Sequence, residues 1–148
     1  MNNASLFIAD ADALVSLTNS QDANHTRAME ILHFCIAQQT HILFPTTAIC
    51  EATTVLHRKL NNPEGAARVI AKTLTGEFRL LPVGEKEITA AAQFFRPEGS
   101  KKDTLFDAVI AAIAYEQGAD AIFSFDGWYS KLGLLLAGDF IEAQKQVA

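Results

Sequence analysis

The chain has 148 residues, 49% of them hydrophobic and 20% charged, with a formal net charge of −5. That length and apolar content can bury a core as one domain, and they exclude a disordered or low-complexity chain. The acidic balance argues against a general DNA binder. It does not exclude a nuclease, since metal-binding carboxylates would make the count negative and bound cations would offset them locally.

The first apolar run, Ser5–Ala9 (SLFIA), has strand character and ends at Asp10. Ala13–Leu17 continues as a short helix. Asp22 to about Gln38 carries a helical period, with Ala28, Ile31, Leu32, Cys35 and Ile36 on one face and Asp22 as N-cap. His41–Phe44 (HILF) reads as a strand stopped by Pro45. Thr46 or Thr47 then caps a helix to about Leu60, where Asn61-Asn62-Pro63 breaks it. Another helix covers about Pro63–Leu74. Phe78–Val83 is a strand, Glu85–Phe95 a helix and Pro97–Ser100 a loop. Asp103–Gln117 is a long helix, capped by Asp103 and stopped by Gly118. Ala121–Phe125 (AIFSF) is a strand before an Asp126-Gly127 turn, and Leu132–Ala148 shows little period. Short strands alternating with helices predict a single α/β domain over 1–148, with a mostly parallel sheet flanked by helices.

No basic segment precedes a sufficient apolar run near Met1, and no stretch approaches the roughly 20 apolar residues of a membrane span. The expectation is a cytoplasmic protein without a membrane partner. Cys35 and Cys50 sit in apolar helical stretches and read as buried free thiols. His25, His33, His41 and His57 lack ligand spacing.

Several acids do not fit their surroundings. Asp107 is the only polar residue between Leu105 and Tyr115 (LFDAVIAAIAY), where an ionised carboxylate is costly unless paired or bound to metal. With Asp103 as N-cap, Asp107 lies a full turn in, beyond the free N–H groups. Glu51 sits in another largely apolar helix, TTAICEATTVL. Asp10 ends the first strand and Asp126 follows the last. Ligands of a parallel sheet gather outside the carboxyl ends of its strands, so these four acids from four segments can converge on one edge. None has a basic partner nearby in sequence. Hard oxygen donors suit Mg²⁺ or Mn²⁺, and two such ions can drive phosphodiester cleavage.

These stretches carry a family resemblance. IADADALVSL, PTTAICEATTVLHRKL and DTLFDAVIAAIAYEQGADAIFSFD, in this order, resemble the motifs of the PIN domain, especially the VapC-type toxin ribonucleases, from Leu6 to about Gly133. The resemblance makes Asp10, Glu51, Asp107 and Asp126 the catalytic metal acids. Asp12 occupies the small polar position beside the first, and Ser124 stands where the family more often has Thr. Whether Asp12 binds metal or orients a ligand stays open. The implied activity is Mg²⁺- or Mn²⁺-dependent endonuclease action on single-stranded RNA, by attack of water without a covalent intermediate. Arg58, Lys59, Lys101 and Lys102 are candidates to hold the RNA backbone, and Asp103 is a supporting residue. The resemblance also implies a homodimer, silenced by a small antitoxin whose tail enters the acidic groove.

Two rivals are open. Asp10-Ala11-Asp12 also fits the Asp-x-Asp of a haloacid-dehalogenase-like phosphatase, with Asp139 and Glu142 imitating its late acidic motif. Ser124, Lys131 and Asp139 would then share a segment too short for a crossover between parallel strands, and Asp107 would have no role. The other rival is a non-catalytic PIN module that binds RNA or protein, for which a degraded acid set is expected rather than the full one present.

Overall fold

The computed structural model describes residues 3–148. Four parallel strands form one sheet in the order β3-β2-β1-β4: β1 (Leu6–Ala9), β2 (His41–Pro45), β3 (Arg79–Leu81) and β4 (Ala121–Phe123). The helices are α1 (Ala11–Thr18), α2 (His25–Ala37), α3 (Thr46–Thr54), α4 (Pro63–Leu74), α5 (Glu85–Ala91), α6 (Leu105–Gln117), α7 (Trp128–Lys131) and α8 (Ala137–Val147). The predicted α/β class with a parallel sheet and flanking helices is the architecture observed.

β1 is interior to the sheet, pairing β2 through Phe7↔Ile42 and β4 through Ile8↔Ile122. Phe7, Ile8 and Ala9 are fully buried, as expected of a parallel strand covered on both faces. The chain leaves β1 toward β2 on one side and returns at β4 on the other. That reversal makes the carboxyl ends of β1 and β4 a topological switch point, where a crevice opens.

α6 enters from the same edge. Its residues Asp107 to Ala114 are all buried, and small Ala side chains let it pack closely against β1. It stops at Gly118, whose φ of 62° and ψ of 39° place it in the left-handed region that favours glycine.

Several local expectations are corrected. Asp22 does not cap α2, which begins at His25 after Asn24. Its Oδ1 instead accepts from Ser16 Oγ at 2.9 Å and Asn24 N at 2.8 Å, closing the α1–α2 turn. Pro45 holds the N-cap position of α3, and Thr46 Oγ1 accepts from Val83 N at 3.1 Å, a tie to the chain leaving β3. Beyond α3 the helix widens into a π-helical turn over Val55–Lys59, where Leu60 N reaches back to Val55 O at 3.0 Å. The C-terminal segment read as aperiodic contains α8. It docks through Ala137, Phe140 and Ile141, with the Phe140 ring edge-on to Phe7 at 5.2 Å. Cys35 is buried, and burial pushes its thiol up to about 12. Cys50 is exposed, contrary to the expectation of two buried thiols.

Candidate active site

Asp10 is placed by the end of β1. Its backbone is still extended (φ −90°, ψ 167°), so it serves as N-cap of α1 and its Oδ1 accepts from Ala11 N at 2.6 Å. Its Oδ2 accepts from the hydroxyl of Tyr129 at 2.6 Å. With only 4% of its surface exposed, Asp10 is a buried carboxylate with a partner on each oxygen.

Asp12, one residue into α1, turns toward the β4–α7 loop. Its Oδ2 accepts from Ser124 Oγ at 2.9 Å and from Phe125 N at 2.8 Å. Ser124 Oγ in turn accepts from Asp126 N at 3.1 Å. The chain from Ser124 to Asp126 is thus fastened to the start of α1. Asp126 Oδ1 accepts from Trp128 N at 2.9 Å, which starts α7. The other oxygen of Asp12, Oδ1, is buried and has no hydrogen-bond partner among the described residues.

Asp107 lies in the first turn of α6, not beyond it. Thr104, rather than Asp103, is the N-cap, and Asp107 Oδ2 accepts from Thr104 N at 2.8 Å and Thr104 Oγ1 at 3.2 Å. This is a reciprocal capping box, with the carboxylate also favoured by the helix dipole. Asp103 N donates to Ser100 O, and Asp103 is not among the residues that line the acidic pocket. Glu51, in the second turn of α3, has no basic partner within salt-bridge distance among the described residues.

Asp10, Asp12, Glu51, Asp107 and Asp126 line a single open cavity of about 310 Å³. Asp22, Asn24, Ser16, Val55, Thr104 and Lys102 complete much of its wall, and Lys102 is the one cation among the lining residues. Of the four basic candidates, only Lys102 reaches this pocket. Arg58 lines a separate cavity with His57 and Ala66. Lys59 and Lys101 are exposed and line neither cavity.

Burial, helped by the crowding of charges, raises the proton affinity of Asp10, Asp12, Glu51 and Asp107. Burial, then the neighbouring charge of Asp12, holds Asp10 well above the usual carboxylate range, against the lowering effect of the Tyr129 bond. Burial lifts Asp12 to about 6 despite its bonds from Phe125 and Ser124. Glu51 rises to about 7, through burial and then the charges of Asp107 and Asp12. Burial also raises Asp107, opposed by Thr104.

This donor set fits a divalent cation. It is all oxygen, its acids form no salt bridge among the described residues, and it includes the buried Asp12 Oδ1, unpartnered among those residues. Among the described residues, no three His, Cys, Asp or Glu side chains are disposed to clasp an ion alone. Mg²⁺ keeps several waters and commonly takes one or two carboxylates, so it does not need three.

The phosphatase constellation is not assembled. Asp139 and Glu142 lie on α8, beside a different cavity, and Glu142 is engaged by Arg27 at 3.5 Å. Two neighbours of the acids were not identified from the sequence, Tyr129 and Thr104. Thr104-x-x-Asp107 carries a capping-box signal that could have located the second. Tyr129 has no comparable local signal, since its partner is 119 residues away.

A parallel sheet with acids gathered at the carboxyl ends of β1 and β4 defines a class of α/β proteins with an acidic pocket at the switch point. The sequence profile of the PIN domain matches residues 7–133, and the chain belongs to that family. Among solved structures it is similar to Mycobacterium tuberculosis VapC20, described as a Sarcin-Ricin loop cleaving toxin. The TM-score is 0.76 at 20% identity, over 88% of this chain and 97% of that one. A comparison with curated protein sequences finds no match.

Proposed function

We propose that this protein is a Mg²⁺- or Mn²⁺-dependent endoribonuclease that cuts single-stranded RNA, the toxin of a type II toxin–antitoxin pair. The observation that carries the reading is the convergence of Asp10, Glu51, Asp107 and Asp126 on one open pocket, none of them in a salt bridge among the described residues. Membership of the PIN family and the description of VapC20 as a Sarcin-Ricin loop cleaving toxin support it.

Asp10, Glu51, Asp107 and Asp126 are the residues that would hold the cations. Bound there, divalent cations supply charge neutralisation and water activation for phosphodiester hydrolysis. Asp12 and Ser124 fix the loop that presents Asp126. Lys102, at the wall, is positioned to meet a phosphate of the RNA backbone. A homodimer, a small antitoxin partner and a cytoplasmic setting belong to the same reading. Among the described residues no helix is long and apolar enough to cross a membrane.

Incubation of purified protein with a broad panel of RNAs, including stem-loops, tests the activity. Cleavage in Mg²⁺ or Mn²⁺ that EDTA stops is expected. An intact panel under all metal conditions would sink the enzyme reading.

A further inference from the structure

Tyr129 does more than fill the core. Its side chain is fully buried, and its ring packs with Trp128 at a centroid distance of 5.3 Å. A phenylalanine would satisfy that packing. The hydroxyl is an additional polar atom in a place where polar atoms are costly without a partner. Its hydrogen-bond partner is Asp10 Oδ2, at 2.6 Å and 119 residues away. A carboxylate that stays ionised can only accept, so the tyrosine O–H donates.

The other oxygen of Asp10 is held by Ala11 N, so the carboxylate is fixed from two sides by groups on different elements. The backbone of the same short helix also engages another pocket acid, Asp126, whose Oδ1 accepts from Trp128 N at 2.9 Å. α7 therefore sets two pocket acids at once. Its own place is kept by bonds to Tyr129 O from Leu132 N at 3.0 Å and Leu134 N at 3.1 Å.

We propose that Tyr129 is a positioning residue for Asp10: its buried hydroxyl locks the carboxylate in the orientation from which it serves a cation. Each Asp10 oxygen keeps a lone pair beyond the one already engaged, so the lock does not block ligation. Partners of this kind orient a ligand, and their loss typically weakens metal affinity or activity by about 10–100-fold. The inference rests on the nuclease reading of the pocket. Tyr129 is buried and does not line the pocket, so its hydroxyl has no route to RNA binding except through Asp10.

The test compares wild type, Tyr129→Phe and, as a control for loss of a tyrosine hydroxyl, Tyr115→Phe. Tyr115 is half-exposed on α6 and donates to Leu132 O instead. Mn²⁺ binding is measured by calorimetry without RNA, and cleavage is followed against Mn²⁺ concentration. Circular dichroism confirms folding. For Tyr129→Phe, the Mn²⁺ dissociation constant and the half-saturating Mn²⁺ concentration should both rise by about tenfold or more. Its KM for RNA at saturating Mn²⁺ should stay unchanged, and Tyr115→Phe should match wild type throughout. A purely structural role would lower the active fraction without moving the Mn²⁺ dependence. Wild-type Mn²⁺ affinity in folded Tyr129→Phe overturns the proposal while leaving the nuclease reading intact. If Tyr129→Phe does not fold, Tyr129 is a core residue and the proposal is likewise overturned. Wild-type protein that neither binds Mn²⁺ nor cuts RNA overturns both.

Discussion

Glu51→Gln is the cleanest perturbation of the acidic pocket. Asp107 both carries charge and caps α6 through Thr104, so its removal mixes two effects of opposite sign. Among the described residues Glu51 has no basic partner within salt-bridge distance to lose, and glutamine keeps its shape. Burial and the charges of Asp107 and Asp12 lift Glu51 from an ordinary 4.5 to about 7. At about 1.4 kcal/mol per tenfold change in proton affinity, that gap is worth about 3 kcal/mol. Glu51 is only partly buried, so solvent screening cuts the figure roughly in half, to about 1.5 kcal/mol. The sign follows from linkage. Below pH 4.5 the folded and unfolded chains both hold the proton. Between about 4.5 and 7 the unfolded chain releases it first, so the metal-free native state loses stability as pH rises. Glutamine has no such term. The stability of Glu51→Gln relative to wild type should therefore improve by about 1.5 kcal/mol from pH 4.5 to pH 8, or roughly 3–6 °C in Tm for a domain of this size. Thermal melts in EDTA across this range measure it. Taking the difference between two pH values removes any constant cost of the amide. Added millimolar Mn²⁺ should then raise the wild-type Tm more than that of the variant, because a cation stabilises the state that binds it. A Tm difference that stays flat from pH 4.5 to pH 8 would refute the crowded-carboxylate argument.

Two further substitutions separate roles within the site. Asp12→Asn keeps an oxygen that can accept from Ser124 Oγ and Phe125 N, so measurable RNA cleavage is expected to remain; Asp12→Ala strands the Phe125 N–H and should cost about 1–3 kcal/mol in denaturant melts. Equal loss of cleavage in Asp12→Asn and Asp10→Asn would show that Asp12 is itself a metal ligand. Lys102→Ala should raise the KM for RNA several-fold and flatten its salt dependence, with kcat retained, whereas Arg58→Ala, in a separate cavity, should have the smaller effect; the reverse ranking would move the RNA path to the face of the π-helical turn.

The acids were legible because their positions follow from chain order. Asp10 had to sit at the end of β1 and Asp126 just past β4 once those apolar runs were strands, and a parallel sheet puts both ends on one edge. Glu51 and Asp107 followed from the helices that leave and enter that edge. α4 was legible to the residue, because Asn62 caps it and Pro63 opens it. Other features depend on contacts that local sequence does not encode. Asp103 and Thr104 are both good N-caps, and only the reciprocal bond to Asp107 selects Thr104. Asp22 looked like a helix cap but is claimed by Ser16, six residues upstream. α8 buries only Ala137 and Ile141, with Phe140 packed against them, too few positions to stand out against its polar residues. Tyr129 sits in a four-residue helix without period, and its significance appears only when β1 and α7 are side by side.

Cleavage of end-labelled single-stranded RNA by wild type and Asp10→Asn, side by side in Mn²⁺ and in EDTA, tests most directly whether the pocket acids act as a metal-dependent nuclease. Asp10 is the acid whose two oxygens are most firmly held, and its amide is nearly isosteric. Discrete products from wild type in Mn²⁺ alone, with none from Asp10→Asn in either buffer, are the predicted result. Equal cleavage by the two proteins, or cleavage by wild type that persists in EDTA, would contradict it.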